Sequence, residues 1–545
     1  MTPTLPRPTP TQLAWIVACC CGVAPLFASQ LLPLVDLPQH LHLISVLHRL
    51  DDASTLFPEV FERRVQLTPY LGYYYLVSWL SWLLPLETAN RLFLAAYVVG
   101  LPLSLGFLLR SLKRPAWPAL LALPFAYGDS FGWGFLNYCS ALPLAFLTCG
   151  FFVRAIEDAP KRRTWALALG FSLVAVLLFH VQVFAWLGVA LPFLLLTTPA
   201  PEDPRGDGEQ RLIDFYLQAK TRYFANPRQT LKEAVRARLP ALLGVVPGVA
   251  LFVAWIGLRV GEPAEIAPGQ PWKSWGPMLS KENLAWKSFE QNRDEFLPML
   301  GNLLRDGSDA LAPKVALGLA ALAVVLAFVF GRENREGPLA RWRIVGLAGL
   351  GVLLYFALPF DIRGYMYYLN TRYAHLAAAL LVVCVPPVKT ERAQQLVWLG
   401  VVVGALTAWP LVRGFSDFDG ESRALVNLGD DGADKARVMG IIADPGSRFM
   451  THPVYLHAST VVARARGGLT NFSFALTPHS PLKYRGEPPP TFPSEWDPRP
   501  WAQYAHAYDH FVIRGVHPSQ LFGQKLEQEF FIAGQRGDFF LVRRR

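Results

Sequence analysis

Leu34-Val35-Asp36-Leu37-Pro38-Gln39-His40-Leu41-His42 decides how the rest of this chain is read. It closes an apolar run, residues 13–34, long enough to cross about 30 Å of hydrocarbon as a helix of roughly 20 residues. An acid, a proline and two histidines stand where such a helix would leave lipid. Beyond them Leu43, Val46, Leu47 and Leu50 share one helical face while His40 and His48 fall elsewhere, the pattern of an amphipathic surface helix. Asp36 with Gln39 three residues on also reads as a capping box, which by itself would account for the acid. The other reading is a carboxylate held at the membrane surface as a base or metal ligand.

Working outward, the 545 residues are 52% hydrophobic and only 17% charged, against about 25% charged in a soluble protein. Further apolar runs follow at residues 89–109, 116–127, 131–153, 165–179, 183–197, 239–258, 315–330, 344–358, 373–385 and 396–412. With the first, they predict an α-helical polytopic membrane protein of about eleven crossings. Residues 71–84, short and rich in Tyr and Trp, read as an interfacial segment. The Lys and Arg residues arbitrate. Eleven crossings with the N-terminus inside place 22 of them on the cytoplasmic side and leave 14 on the other side of the membrane region. That bias fits the positive-inside rule and puts the C-terminal tail outside.

The net charge of +10 is dispersed, and the tail 414–545 holds 15 basic and 14 acidic residues, so no nucleic-acid patch is present. The six cysteines sit in apolar runs and read as small hydrophobes, not as a disulfide framework. Ile16-Val17-Ala18-Cys19 looks like a lipoprotein cleavage site, but the apolar stretch before it is too short, and an uncleaved span is the better reading. Residues 1–413 form the transmembrane module. Its outer loops are 35–88 and 260–312, and its one long cytoplasmic loop is 199–238. Residues 414–545 read as a small extracytoplasmic α/β domain, with strands over 437–442, 511–514 and 530–532 paired with 539–542, and a turn at Gly534-Gln535-Arg536-Gly537.

The Asp at the outer end of the first span, the long outer loop, and Glu87-Thr88-Ala89-Asn90-Arg91-Leu92-Phe93 leading into the second span together resemble the GT-C glycosyltransferases. The many-span body and exported tail match that layout as well. The resemblance implies an outward-facing site, a polyprenyl-phosphate-linked sugar donor, and a first-loop carboxylate acting on a glycan, lipid or protein acceptor. It further implies a home in the bacterial inner membrane. Many such enzymes carry paired acids; here Asp36 stands alone, followed by Pro38 and His40, a departure that counts against a bound metal, and a divalent ion (Mg or Mn), if held, would lie between Asp36 and Asp129.

Asp129, in the turn Gly128-Asp129-Ser130-Phe131-Gly132-Trp133, is the second candidate acid, or simply a turn residue beside glycine. His40 is a candidate to assist Asp36. His180 interrupts the apolar stretch 165–197 where ionisable groups usually face a cavity. Arg372 heads a span from outside, and its fork of N–H donors suits a phosphate, with Arg363 as a second cation. The alternatives are a transporter or lipid flippase, which predicts two similar halves that the sequence lacks, and a noncatalytic scaffold presenting the tail.

Overall fold

The computed structural model describes residues 8–198, 227–259, 280–329, 342–363, 366–388 and 390–545. Most of the expected loop 199–238 and the start of the loop 260–312 lie outside them. Among the described residues, seven helices are long and apolar enough to cross a membrane: Pro10–Phe27, Leu86–Ser111, Leu136–Glu157, Ala159–Phe179, Val235–Leu258, Ser308–Val329 and Arg392–Asp431. Three shorter apolar helices are Trp117–Tyr127, Val181–Thr197 and Arg343–Ala357. The expected count of eleven needs all of these and the ten-residue helix Arg372–Leu381. The helix Val235–Leu258 presents Leu243, Val246 and Val253 outward, a face that lipid covers without cost.

Several element ends differ from the sequence reading for local reasons. The first helix stops at Phe27, after Pro25. The Asp419 carboxylate then takes the backbone N–H of Gln30 at 2.6 Å, so the chain reaches Asp36 as an irregular strap. The expected span 131–153 begins instead at Leu136, because Gly134 adopts φ +86° just before it, a conformation suited to glycine. The expected span 116–127 is a tight 3-10 helix over Trp117–Tyr127 with Pro118 and Pro124, buried throughout. Residues 71–84 hold the ten-residue helix Leu71–Leu80. One 39-residue helix, Thr390–Leu428, runs through position 413 into the tail. Cys139 and Cys149 are buried as expected, whereas Cys20 is exposed.

Two short strands, β2 (Leu284–Ala285) and β3 (Asp361–Ile362), pair antiparallel, and in the tail strands β4 (Arg437–Ile442), β5 (Leu469–Thr470), β7 (His510–Arg514), β8 (Phe530–Arg536) and β9 (Phe539–Arg544) form one sheet in the order β5-β4-β7-β9-β8. β4 runs parallel to β5 and β7, while β7–β9 and β8–β9 are antiparallel. The helix Ala458–Ala465 crosses between β4 and β5. The hairpin turns at Gly537, φ +55°, not at Gly534, which lies beside a bulge in β8.

This sheet unit is bonded to the segment between the first helix and the helix Leu86–Ser111. Strand β1 (Phe61–Arg63) pairs antiparallel with β6 (Leu482–Tyr484). His42 Nε2 faces the Gly468 carbonyl at 3.0 Å, and the Gln39 amide donates to Thr460 and to the Phe472 carbonyl. At the opposite end of the bundle Glu157 takes Arg343 at 3.0 Å and Lys113 at 3.2 Å. The loops around residues 113, 157 and 343 therefore share one face, as the charge bias requires.

Candidate functional site

Asp36 precedes the helix Leu37–His48 without capping it. Its side chain makes no hydrogen bond to the first turn, and Gln39 is used on the tail instead. The capping box expected from spacing is therefore not formed, and the carboxylate is left for other partners. Its backbone is held from below. Val35 N–H donates to the Gly132 carbonyl at 3.0 Å and Asp36 N–H to the Trp133 carbonyl at 3.1 Å. The strap carrying Asp36 is thus fixed on the turn that carries Asp129.

Two histidines of one tail segment meet the two acids. His457 Nε2 lies 3.5 Å from Asp36 Oδ1, and its Nδ1 lies 3.7 Å from Glu495 Oε2. His452 Nε2 lies 3.1 Å from Asp129 Oδ1, which also accepts from the Asn302 amide at 3.1 Å. Burial pulls the His457 imidazole down, but Asp36 and Glu495 outweigh it and raise its pKa above the usual 6.5. Burial pushes the Asp129 carboxyl up, but the His452 and Asn302 hydrogen bonds outweigh it and hold the carboxyl below its usual range.

His40 sits beside Asp36, yet both its nitrogens are taken, Nδ1 by the Tyr74 hydroxyl at 2.7 Å and Nε2 by the Gly134 carbonyl at 3.1 Å. Burial lowers its pKa to about 4, so it is a neutral brace.

A second group gathers around Arg372. Its Nη1 lies 3.1 Å from His180 Nε2. The Gln182 backbone N–H donates to His180 Nδ1 at 3.2 Å, which puts the ring proton on Nε2. Two donors therefore face each other, and Arg372 Nε is buried with no hydrogen-bond partner among the described residues. Converging donors with no acceptor between them form a site for an anion. The guanidinium lies over Phe135 at 4.2 Å. Tyr70 packs edge-on to His180 at 4.8 Å and against His479 of the tail at 5.1 Å.

The two groups are neighbours. Phe135 stacks with Trp133 at 6.4 Å, and Arg372 lies within electrostatic reach of Asp36. Tyr368, 4.9 Å from Trp133, senses the charges of both Asp129 and Asp36. Arg363 stands apart: it is exposed, its backbone pairs with Asn283, and its charge acts on Asp361.

A divalent ion shared by Asp36 and Asp129 would compete with contacts that these carboxylates already make. Asp129 Oδ1 already takes two N–H donors, and the His457 nitrogens point to opposite sides. Among the described residues no group of three or more His, Cys, Asp or Glu is arranged to hold a metal.

ArnT from Cupriavidus metallidurans, bound to undecaprenyl phosphate, is similar over 97% of this chain and 97% of its own, with a TM-score of 0.53 at 10% identity. The chain has a GT-C fold. The arabinofuranosyltransferase AftD from Mycobacteria aligns over 98% of this chain and 39% of its own, at 14% identity and TM-score 0.46. An oligosaccharyltransferase from Archaeoglobus fulgidus aligns over 83% and 64%, at 11% identity and TM-score 0.38. No protein-family model and no curated protein matches the sequence. On this GT-C fold, Glu495, His452, His457 and His479 were not legible as site residues. The groups that the three histidines meet, Asp129, Asp36 and Tyr70, lie hundreds of positions away, Glu495 is marked only by His457, and the spacing of the histidines suggested no ligand set.

Proposed function

We propose that this protein is a membrane glycosyltransferase that moves a sugar from a polyprenyl-phosphate donor to an acceptor outside the cytoplasm. The observation that supports it is the nearness of a carboxylate free of capping duty, Asp36, to the converging donors of Arg372 and His180. The first suits a proton acceptor and the second a lipid phosphate. In this reading the acceptor hydroxyl gives its proton to Asp36 as its oxygen bonds to the anomeric carbon. The bond from that carbon to the phosphate oxygen breaks, and its electron pair leaves with the polyprenyl phosphate. Arg372 and the His180 Nε2–H hold the charge that develops there. His40 keeps the strap in place through Gly134.

The reading is tested with the purified protein in nanodiscs. It is given a panel of undecaprenyl-phosphate-linked monosaccharides with a cell-envelope extract as acceptor. Release of undecaprenyl phosphate that depends on the extract supports it. No release from any donor, from protein that still binds undecaprenyl phosphate, speaks against it.

A further inference from the structure

The segment between β4 and the helix Ala458–Ala465 does more than connect them. It carries His452 to Asp129 and His457 to Asp36. His457 is 3% exposed, its ring stacked on Phe472 at 5.7 Å and 11°, with Phe474 edge-on at 5.8 Å. Those contacts fix the plane of the ring, so its two nitrogens aim in set directions. Each direction ends on a carboxylate, and Glu495 Oε2 is buried with no hydrogen bond among the described residues. A neutral imidazole has one N–H and satisfies only one such carboxylate; an imidazolium satisfies both.

We propose that His457, held from behind by Glu495, is a positioning residue that sets the Asp36 carboxylate for proton transfer, so that the tail supplies part of the transfer site. This rests on Asp36 being the base. His457 acts in its cationic form. The groups facing it are Asp36 from the strap, Glu495 from the tail loop and His40 from the helix Leu37–His48. The two acids favour the cation and His40, being neutral, opposes it little. His457 does not touch the reacting atoms; it fixes the direction of the oxygen that does.

The test uses the full chain in nanodiscs, with release of undecaprenyl phosphate from undecaprenyl-phosphate-linked monosaccharides as the rate, and ¹⁵N-histidine NMR as a readout independent of turnover. In Glu495→Gln the His457 titration should move to lower pH, and the alkaline limb of kcat should move with it. At neutral pH kcat should fall roughly 10- to 100-fold, the scale of a small misplacement of a reacting group, with the donor KM within about twofold. Combined with Asp36→Asn, Glu495→Gln should cause no further loss, because the group it positions is gone. His457→Phe, which keeps the stack on Phe472, should show the same loss of kcat and the same absence of further loss with Asp36→Asn, and stands in if Glu495→Gln misfolds. Wild-type kcat in both variants, or an equal loss with and without Asp36, overturns the positioning role. Full activity in Asp36→Asn alone instead overturns the base assignment beneath it.

Discussion

The backbone N–H of Asp36 donates to the carbonyl of Trp133 at 3.1 Å. One hydrogen bond thereby fixes the strap after the first helix to the turn after Asp129, and the two acids are presented on one surface. Gly134 makes that approach possible. Its φ is +86°, and a Cβ there would stand 3.0 Å from Asp36 N and 3.1 Å from Asp36 Cβ.

Gly134→Ala should therefore injure both fold and site. The strained backbone alone costs of order 1–3 kcal/mol, and the added carbon displaces Asp36. A lower Tm together with a fall in transfer is expected. Gly188→Ala, where an added Cβ meets nothing within 4 Å, is the control and should be silent. Equal behaviour of the two variants would contradict the close approach.

Arg372→Lys should weaken binding of undecaprenyl phosphate, because an ammonium lacks the planar pair of donors, and Arg372→Ala should weaken it further. Affinity is read by titrating the lipid into the purified protein. Unchanged affinity in both variants would make Arg372 a headgroup anchor, with its position over Phe135 at 4.2 Å purely structural.

Acid should destabilise the face that carries the tail. Burial lowers the pKa of both His40 and His42 to about 4 from the ordinary 6.5. Between those values the unfolded chain binds protons that the folded one refuses, so stability falls as pH drops from about 6.5 toward 4 and then levels. Each histidine contributes of order 3 kcal/mol to that fall. His42→Gln should flatten the slope of Tm against pH in this window; an unchanged slope would show that His42 is not held neutral.

The sign of the charge bias gives a topological prediction. Reporter fusions after Arg392 and after Arg545 should report opposite compartments. The shared face of Glu157, Lys113 and Arg343 agrees with it. Matching compartments would mean that the number of crossings between them is even.

What the sequence revealed and what it hid follow from the range of the interactions. The spans were legible because apolar runs need no partner to be recognised. Asp36, Asp129, His180 and Arg372 stood out because each is ionisable at an apolar boundary. The first span reads on to Leu34 in the sequence because Leu31, Leu32 and Leu34 are apolar after the helix has ended at Phe27, and composition does not register Asp419 drawing Gln30 away. The capping box failed because Gln39 finds better partners in Thr460 and Phe472. Three-residue strands such as β1 have no periodicity to read, and β1 acquires its meaning only from β6. The histidine partners of the acids belong to the same class, being contacts between distant segments of chain.

The central claim is that Asp36 is the proton acceptor. Asp36 makes no cap hydrogen bond, so Asp36→Asn should keep the fold, with a fall in Tm no larger than the weakened pair with His457 accounts for, while removing charge and basicity. The decisive measurement is extract-dependent release of undecaprenyl phosphate from undecaprenyl-phosphate-linked monosaccharides by this variant and by wild type, side by side at neutral pH. A well-folded variant with transfer reduced by roughly a hundredfold or more is the predicted result. Wild-type transfer by Asp36→Asn would contradict the account and move the search for the base to Asp129.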